Sequence, residues 1–536
     1  MAFRFSRVTR RAVLSNALGF SGTTAALALM TACGGSVTTS TAGTTAALSA
    51  SANTGLPAAS SAATLSAPTT SSASATSSTA AATAVASAST TSTGGATSRA
   101  AAVSSTVPPA EPTPKPGAKG VIQPLLRGDP QEVDAWKQIF TNFEAKNPGL
   151  KVDAIYTTGD YDAKTVTFVA SGTPPGLWFP AADTGVKHWA AKGLIQVLDQ
   201  YIQRDKYDLS GFYEQYLPYM KFEGKMVALP VDEWPWNVYY NKSLFQKAGA
   251  PPPPTDWSDK TWTWDKFLET GKTLTRSNGG KTTQWGIGDA SFSGARFSAM
   301  LFGGDWFPED SYVDGWIKQF TGNAPEVIQA YQYLSDLSHK YHVSPSSDEQ
   351  KANGGNISKM FLSGLIGMHI SDASFIETLR RQTSGVDWAL AAIPQPADKP
   401  RRTLIWADYW CYFQGIKDPD AAWTLLKYML TPEAQVLYPL QSGAVPSLKS
   451  LAPNWIKLRQ DSNKVPPEVL QVAINAIPVS HVSADNFTVN WPDLGLIIEK
   501  PMGDVLSGKQ DAQTAIQSLT AAAQDVIKKT SAAAKS

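Results

Sequence analysis

The feature that most constrains this chain is a long tract of Ser, Thr and Ala that precedes its apolar part. Residues 33–118 contain few charged or large apolar side chains and end in a run of prolines between Pro108 and Pro116. Such a tract buries too little apolar surface to offset the entropy lost on ordering. We therefore predict a flexible tether with a span of roughly 50 Å and a folded part that begins near residue 119. A mucin-like glycosylated stalk is the alternative that the same composition fits.

Residues 1–32 have the order of a cleavable export signal. Arg10 and Arg11 precede a weakly apolar stretch that ends in Leu29-Met30-Thr31-Ala32-Cys33. This stretch is too short and too polar to remain in a bilayer as a membrane span. The segment resembles a twin-arginine (Tat) signal joined to a lipobox, with Met30 where Leu is commoner. The resemblance implies lipidation of Cys33 and attachment to the outer face of the cell membrane. A chance arginine pair before an ordinary Sec signal is the alternative, and either signal predicts export.

Charge and cysteine content exclude several classes of protein. The 536 residues carry 46 Lys and Arg against 45 Asp and Glu, a formal net charge of +1, and the basic residues are scattered. This balance argues against a nucleic-acid or anionic-membrane surface. After Cys33 the only cysteine is Cys411, so no disulfide forms within the folded part, and we predict that Cys411 is a buried small hydrophobe. The lipid is the only predicted membrane attachment, because no later apolar run is long enough to span a bilayer.

The folded part alternates between strand and helix patterns. A strand is predicted over 121–126, followed by a helix with Val133, Trp136, Phe140 and Phe143 at helical spacing, and then strands over 150–156 and 177–179. Helices are also predicted over 183–192, 264–274, 324–339, 420–428 and 511–529. The alternation predicts α/β layers with open, mostly parallel sheets. Ligands of such sheets bind beyond the carboxyl ends of the strands.

Several segments carry a family resemblance that extends over most of residues 121–527. The most specific one is "YMKFEGKMVALPVDEWPWNVYYNKSLFQKAG", residues 219–249. Together with the other segments, in their order and spacing, it resembles the extracellular solute-binding proteins of ABC importers. The resemblance is to the maltose-binding, sugar-class branch of that family. The other segments are "GLKV" at 149–152, "ASGTPPG" at 170–176, "AKGLIQV" at 191–197, and residues 297–306, 364–372, 418–435 and 443–446.

The resemblance implies a two-lobed periplasmic-binding-protein fold, in which each lobe is an open, mostly parallel sheet flanked by helices. The ligand would bind in the cleft between the lobes, and hinge closure would follow. Carried over by order, lobe I spans residues 119–231 and 411–476, and lobe II spans 232–410 and 477–530. The implied partners are a small-molecule ligand and the transmembrane subunits of an ABC permease. The receptor is expected to be a monomer without a cofactor and without contact to nucleic acid.

Two segments at the implied crossovers between the lobes combine carboxylates with indoles. The first supplies Asp232, Glu233, Trp234 and Trp236, and the second supplies Trp406, Asp408 and Tyr409. Carboxylates accept paired hydrogen bonds from sugar hydroxyls, and indoles offer flat apolar faces to a pyranose. We expect Trp406 and Asp408 to face one ligand from the side of the cleft opposite Trp234 and Glu233. The alternative is that Asp232 is a turn residue and that the tryptophans are hinge packing.

Further ligand contacts are predicted elsewhere in the chain. Asp305 and Trp306 repeat the pairing of an acid with an indole after two glycines. The resemblance implies that Asp183, Asp372 and Trp491 occupy contact positions, although the stacking aromatic usual near Asp372 is absent and only Phe375 is close. Asp183 is also explained as a helix N-cap, and Trp306 as an anchor within a turn. The remaining candidate is Arg127, at the end of the first strand.

Catalytic and metal chemistry find little support. The Gly280-Lys281-Thr282 segment has Thr275 where a phosphate-binding loop needs its first glycine, and neither HExxH nor GxSxG occurs. The acid pairs alone would also suit a glycosidase, but the resemblance is to non-catalytic binders. His339 and His342 lack a third ligand nearby, so no metal site is predicted.

The function predicted from the sequence is capture of a mono- or oligosaccharide by a lipid-anchored receptor. Two alternatives stay open at this point. One is a non-sugar solute, such as a polyol phosphate, an amine or a peptide. The other is a surface sensor that has no role in transport.

Overall fold

The computed structural model describes residues 119–533, except for 129, 159–160, 180–184, 289–297, 382–384 and 464. The predicted export signal, Cys33 and the tether lie outside the described residues. So does the candidate ligand contact Asp183.

The chain begins with short parallel strands. The strands β1 (Gly120–Ile122) and β3 (Leu150–Val152) form one parallel pair, and β4 (Ile155–Thr157), β2 (Pro124–Arg127) and β5 (Leu177–Trp178) form a parallel sheet in that order. Each of the first two predicted strands is therefore interrupted. The interruption at Gln123 and Asp153 is bridged by a side-chain hydrogen bond of 2.8 Å between these residues.

The first helices follow these strands in the chain, and two of them, at residues 130–146 and 186–191, lie where helices are predicted. Trp136, Ile139, Phe140 and Phe143 form the buried stripe of the first helix. This helix ends at Lys146, just before Pro148 and Gly149. The helices are α1 (Pro130–Lys146), α2 (Tyr161–Ala170), α3 (Val186–Ala191) and α4 (Asp199–Asp205). A short antiparallel hairpin of β6 (Lys221–Phe222) and β7 (Lys225–Met226) follows them.

A second, five-stranded sheet has the order β10-β11-β12-β9-β13. Its strands are β9 (Asn237–Asn241), β10 (Arg276–Asn278), β11 (Lys281–Ile287), β12 (Ile366–Ser371) and β13 (Trp388–Ala391). The prediction of a mostly parallel sheet is wrong in this detail, because only β11 and β12 run parallel and β9 runs against both of its neighbours. The partners of β9 are β12 and β13, which follow it in the chain by more than 120 residues, so its direction is set by pairing with distant strands and not by a local βαβ unit.

The helices of this middle part of the chain surround the five-stranded sheet. The predicted helices over 264–274 and 324–339 are confirmed. The helices are α5 (Lys242–Ala248), α6 (Trp264–Leu274), α7 (Glu309–Asp314), α8 (Pro325–His339), α9 (Ser347–Ala352), α10 (Ile357–Leu362) and α11 (Ser374–Arg381).

A third sheet, which we call the crossover sheet, has the order β15-β8-β14-β16. It consists of β8 (Leu229–Pro235), β14 (Thr403–Trp410), β15 (Val445–Pro446) and β16 (Ser480–Val482). Strand β8 leads through one residue into β9 of the five-stranded sheet, while β14 leads into Cys411, which bridges to Trp178 of β5. The crossover sheet therefore joins the parallel strands of the N-terminal part to the five-stranded sheet. The predicted crossovers at 231/232 and 410/411 fall within β8 and at the end of β14, and the lobe boundaries themselves stay a prediction.

The C-terminal part of the chain is helical apart from β15, β16 and short connections. The helix predicted over 511–529 is confirmed and packs against the one before it. The helices are α12 (Pro419–Met429), α13 (Pro432–Ser442), α14 (Ala452–Asn463), α15 (Pro467–Ala476), α16 (Ala484–Phe487), α17 (Trp491–Leu506) and α18 (Ala512–Ala533). A search of the described residues finds no helix with the length and apolarity that crossing a membrane requires.

Most of the tryptophans are explained by the core rather than by a site. The side chains of Trp136, Trp178, Trp285, Trp410 and Trp423 are among the largest that are fully buried. Trp136 packs edge-on against Trp410 at 5.7 Å between ring centroids. Cys411 is also fully buried, which confirms the prediction of a small hydrophobe.

Candidate functional site

The crossover sheet brings two indoles and two carboxyl groups together on one of its faces. In the antiparallel ladder between β8 and β14, Trp234 lies directly opposite Trp406, and Asp232 lies directly opposite Asp408. Residues two apart on a strand share a face, so all four side chains project to the same side of the sheet. We call these four residues the acid–indole face. Trp234, Trp406 and Asp408 are half-buried, whereas Asp232 has no exposed surface.

One indole N–H holds the two carboxyl groups of this face together. Trp234 Nε1 donates hydrogen bonds to Asp232 Oδ1 at 2.9 Å and to Asp408 Oδ2 at 2.8 Å. The bonds tie the ring edge to the acids and fix the orientation of the indole. The indole of Trp234 is therefore held as a rigid aromatic surface next to the carboxyl oxygens of Asp232 and Asp408.

The two aspartates titrate as a pair. Burial raises the pKa of Asp232 well above its ordinary range, and the neighbouring charge of Asp408 raises it further. Burial also raises the pKa of Asp408, against the attraction of the Arg127 guanidinium. Two buried carboxyl groups that accept from the same indole N–H and hydrogen-bond to each other do not both ionise readily, so the pair holds one proton, mainly on Asp232.

The acid–indole face lies at the carboxyl end of the first parallel sheet. Arg127 is the last residue of β2, and the positive charge of its guanidinium attracts the carboxylate of Asp408. Arg127 is exposed at the strand end. Partial desolvation by the surrounding protein lowers the pKa of Arg127, but attraction by Asp408 and neighbouring groups outweighs it, so the pKa is raised. A strand end of this kind is where α/β sheets place ligands. The candidate Arg127 is thus brought to the acid–indole face.

Tyr438 of α13 is a further neighbour that sequence reasoning missed. Its ring stacks on Trp136 at 4.1 Å between centroids. Burial raises its pKa well above 10, and the charges of Glu132, Asp232 and Asp408 act in the same direction. The only sequence signal is an aromatic residue in the apolar stripe of a helix, which is equally typical of the core.

The prediction that the acid–indole residues face one another from opposite sides of a cleft is wrong. The ladder places Trp234 and Trp406 side by side on one sheet face. Glu233 alternates to the opposite face and has no exposed surface. Burial raises its pKa well above the ordinary value, and its charge acts on Tyr213 and Tyr216. Sheet alternation therefore separates Glu233 from the other candidate acids.

Asp372 follows β12 and borders the acid–indole face from the five-stranded sheet. Its charge is one of those that raise the pKa of Asp408. Its Oδ1 accepts a hydrogen bond of 2.8 Å from the Ser374 backbone N–H at the start of α11, and its carbonyl accepts one of 2.7 Å from the Tyr239 hydroxyl. Nearby Phe375 is buried against Tyr239. Asp372 thus combines a helix-capping role with proximity to the site.

Asp305 belongs to a separate buried cluster with α7 and β16. Its Oδ1 accepts a hydrogen bond of 2.5 Å from the Tyr312 hydroxyl. His481 Nε2 lies 2.9 Å from Glu309 Oε2 and 3.8 Å from Asp305 Oδ2. The hydrogen bond with His481 lowers the pKa of Glu309 to about 2. Burial, which favours neutral His481, is outweighed by these acids, so the pKa of His481 is raised.

Four predicted contact aromatics have packing roles in the structure, and each is almost fully buried. The indole of Trp306 donates to the Tyr331 hydroxyl at 3.1 Å. The hydroxyl of Tyr409 accepts a hydrogen bond from the Val186 N–H and donates one to the Asn486 carbonyl. Trp236 packs in the core beside the five-stranded sheet, and Trp491 begins α17 next to Phe307. Any additional contact of these residues with a ligand stays a prediction.

Comparison with known proteins identifies the family. Residues 127–436 match the family model described as "Bacterial extracellular solute-binding protein". The lactose-binding protein of Rhizobium radiobacter is 26% identical over 267 residues, 48% of this chain and 58% of that protein. The sn-glycerol-3-phosphate-binding periplasmic protein UgpB of Brucella abortus is 23% identical over 401 residues, 71% of this chain and 86% of that protein.

A solved structure supports the architecture. The ABC substrate-binding protein Lmo0181 from Listeria monocytogenes, in complex with cycloalternan, superposes with a TM-score of 0.63 at 22% identity. The match covers 77% of this chain and all of that one. The fold is thus the two-lobed α/β fold of periplasmic binding proteins, as predicted. The family match spans more than half of the sequence, and the chain belongs to the bacterial extracellular solute-binding proteins of ABC transporters.

Proposed function

We propose that this protein captures a carbohydrate outside the cytoplasm and delivers it to the permease of an ABC importer. The observation that carries the proposal is the acid–indole face. Two indoles lie side by side, and two carboxyl groups lie directly beside them on the strands that join the lobes. Because these strands form the hinge region, a ligand bound there contacts both lobes and favours the closed state.

The chemistry of the acid–indole face suits a sugar. An indole buries about 150–250 Å² and presents a flat apolar surface to the C–H face of a pyranose. The carboxyl oxygens of Asp232 and Asp408 accept hydrogen bonds from hydroxyl groups, and an ionised acceptor strengthens such bonds. Half-burial of Trp234, Trp406 and Asp408 leaves part of each side chain for a ligand.

A phosphorylated polyol fits this face less well, although one relative is a glycerol-phosphate binder. The neighbouring cation is Arg127, whereas Asp232, Asp372, Asp408 and Glu132 all contribute negative charge when ionised. Like charges 4 Å apart repel by about 4 kcal/mol at a typical near-surface dielectric. The electrostatics therefore favour an uncharged or cationic solute over a phosphate.

The proposal also has consequences for chemistry and assembly. The receptor binds its ligand reversibly, returns it chemically intact and functions as a monomer without a cofactor. A glycosidase would use two carboxyl groups on either side of a glycosidic bond. Here Asp232 and Asp408 lie on the same side, tied by one indole N–H.

A ligand screen tests the proposed function. The purified protein is heated with neutral mono- and oligosaccharides, sn-glycerol 3-phosphate, glycerophosphocholine and short peptides, and the melting temperature is recorded. We expect a sugar to raise the melting temperature, because a ligand that binds only the folded state stabilises that state. Chromatography of the released ligand should return it unchanged. Stabilisation by glycerophosphates or peptides, with none by sugars, would show that the carbohydrate assignment is wrong.

The proposed location is the outer face of the cell membrane, with a lipid on Cys33 as anchor and residues 33–118 as tether. Changing Cys33 to Ala should release the exported protein into soluble fractions, because the lipid is its only proposed attachment. Fractionation followed by immunoblotting measures this outcome, and N-terminal sequencing confirms that the signal is cleaved. Ser36→Ala in the same segment is the matched control. Membrane retention of the cleaved Cys33→Ala variant would rule out the anchor.

A further inference from the structure

We infer that the Asp232–Asp408 pair receives a cationic nitrogen, so that the preferred solute is an amino sugar rather than a neutral one. This inference rests on the proposed carbohydrate function and specifies the ligand within that class. Three observations carry it: an unpartnered buried carboxyl oxygen, the surrounding charge, and the two indoles beside the pair.

The hydrogen bonds of the pair are incomplete. The Trp234 N–H serves Asp232 Oδ1 and Asp408 Oδ2, one donor for two carboxyl groups. The second oxygen of Asp232, Oδ2, is buried and receives no hydrogen bond from an N–H or hydroxyl group of the described residues. The carboxyl groups of Asp232 and Asp408 also share a hydrogen bond with each other, which lasts only while the pair keeps its proton. Unpaired buried carboxylate oxygens are costly, so native sites supply them with a donor or a charge partner. An ammonium group carries three donors and the required charge.

The groups around the pair leave it acidic from every side. Arg127 of β2 is the cation that faces it, and Glu132 of α1 and Asp372 after β12 add negative charge. Tyr438 of α13 is neutral, and burial together with the charges of Asp232 and Asp408 raises the pKa of Glu233 on the opposite face, so Glu233 is not counted among these acids. With one guanidinium against these acids, a second positive charge is favoured next to Asp408.

The two indoles add affinity for the same kind of group. A cation within about 6 Å of an indole centroid is attracted by the electron-rich ring face, most strongly when it is desolvated. Trp234 and Trp406 adjoin the acids on the same face of the sheet. The sugar ring can therefore stack on an indole while its amino group reaches the carboxyl pair.

Binding of an ammonium group changes the protonation of the pair. In the empty protein the two carboxyl groups hold one proton between them. When the ammonium group binds, its own positive charge replaces that proton, both carboxylates ionise, and one proton leaves to solvent. Affinity should therefore rise with pH below the pKa of the sugar amine and fall once the amine loses its charge.

Matched sugar triads test this inference by titration calorimetry on the intact protein. The probes are glucose, glucosamine and N-acetylglucosamine, the same three forms of galactose, and the corresponding β-1,4-linked dimers of the glucose series. We expect the free amine of at least one triad to bind about tenfold or more tightly than its neutral counterparts. Titration in two buffers with different ionisation enthalpies should reveal release of up to one proton.

Variants of the pair separate its role from general binding. In Asp408→Asn the amino sugar should bind at most about threefold more tightly than its neutral counterparts. The affinity for the neutral sugars should change less than the affinity for the amino sugar. Asp232→Asn should act in the same direction, and it replaces the first variant if that one does not fold. Asp348→Asn, at an exposed ion pair, is the control that should change nothing.

The outcomes distinguish this inference from the function on which it rests. Neutral sugars that bind as tightly as their amines would overturn the amine preference and leave carbohydrate capture in place. An amine preference that persists unchanged in both Asp variants would also overturn the role of the pair. Binding of a phosphate ester or a peptide, with no binding in any triad, would overturn the proposed function together with this inference.

Discussion

Replacing Arg459 with Met is expected to lower the free energy of unfolding by about 3–5 kcal/mol. Arg459 of α14 has no exposed surface and forms an ion pair with Glu377 of α11, which is itself almost fully buried. Glu377 also receives a hydrogen bond of 2.8 Å from Arg380 Nε. Removal of Arg459 leaves the buried carboxylate of Glu377 without the buried cation that faces it, next to the partly exposed side chains of Arg380 and Arg381.

The double variant Arg459→Met, Glu377→Leu distinguishes the ion pair from simple packing. Because it removes both charges, it should regain most of the stability that the single variant loses. Denaturant unfolding followed by tryptophan fluorescence measures all forms. Lys351→Met, at an exposed pair with Asp348, is the control and should change stability by less than about 0.5 kcal/mol. A single variant as stable as the control would contradict a structural role for the pair.

The helices of the fold could be predicted because their apolar spacing is regular. The helix over residues 130–146 shows a stripe of large side chains at helical spacing, and the structure buries that stripe. The antiparallel course of β9 could not be predicted in the same way. A strand buried on both faces has the same composition in either direction, so its direction depends on partners that are distant in the chain.

The candidate site could be predicted in its composition but not in its arrangement. Asp232 and Trp234, like Trp406 and Asp408, are two residues apart, and this spacing already places each pair on one face of a strand. The same period excludes Glu233 from that face. The register that sets Trp234 against Trp406 depends on pairing across more than 170 residues of sequence, which no local pattern specifies.

The tryptophans are the residues whose predicted roles in ligand binding differ most from their positions in the structure. Trp306 directly follows Asp305 in the sequence, and Trp406 lies two residues before Asp408. Nevertheless Trp306 is buried, whereas Trp406 is half-buried. Both a core and a sugar site require a large flat apolar surface, so residue type alone does not separate them. Tyr438 shows the converse, because a residue with an ordinary core spacing lies next to the acid–indole face.

Replacing Trp406 with Ala is expected to weaken sugar binding by about 1.5–4 kcal/mol, roughly ten- to several-hundred-fold in the dissociation constant. Trp406 is half-buried on the acid–indole face, and its ring is the stacking surface beside Trp234. Trp234→Ala should show a loss in the same range, because it also removes the N–H that orients Asp232 and Asp408. Calorimetric titration with the sugar found in the ligand screen measures both variants.

The matched control is Trp306→Ala, which removes the same side chain from a site with 2% exposure. Its loss should appear as about 3–5 kcal/mol of folding stability, with the affinity of the remaining folded protein retained. Glu233→Gln, on the opposite face of the crossover sheet, should retain affinity as well, because Gln keeps the shape of a side chain that does not reach the acid–indole face and replaces a carboxyl group whose pKa burial raises. Affinity and unfolding are therefore measured on the same four variants. If Trp406→Ala lost stability as Trp306→Ala does and kept its affinity, the indole would be core, and the acid–indole face would not be the binding site.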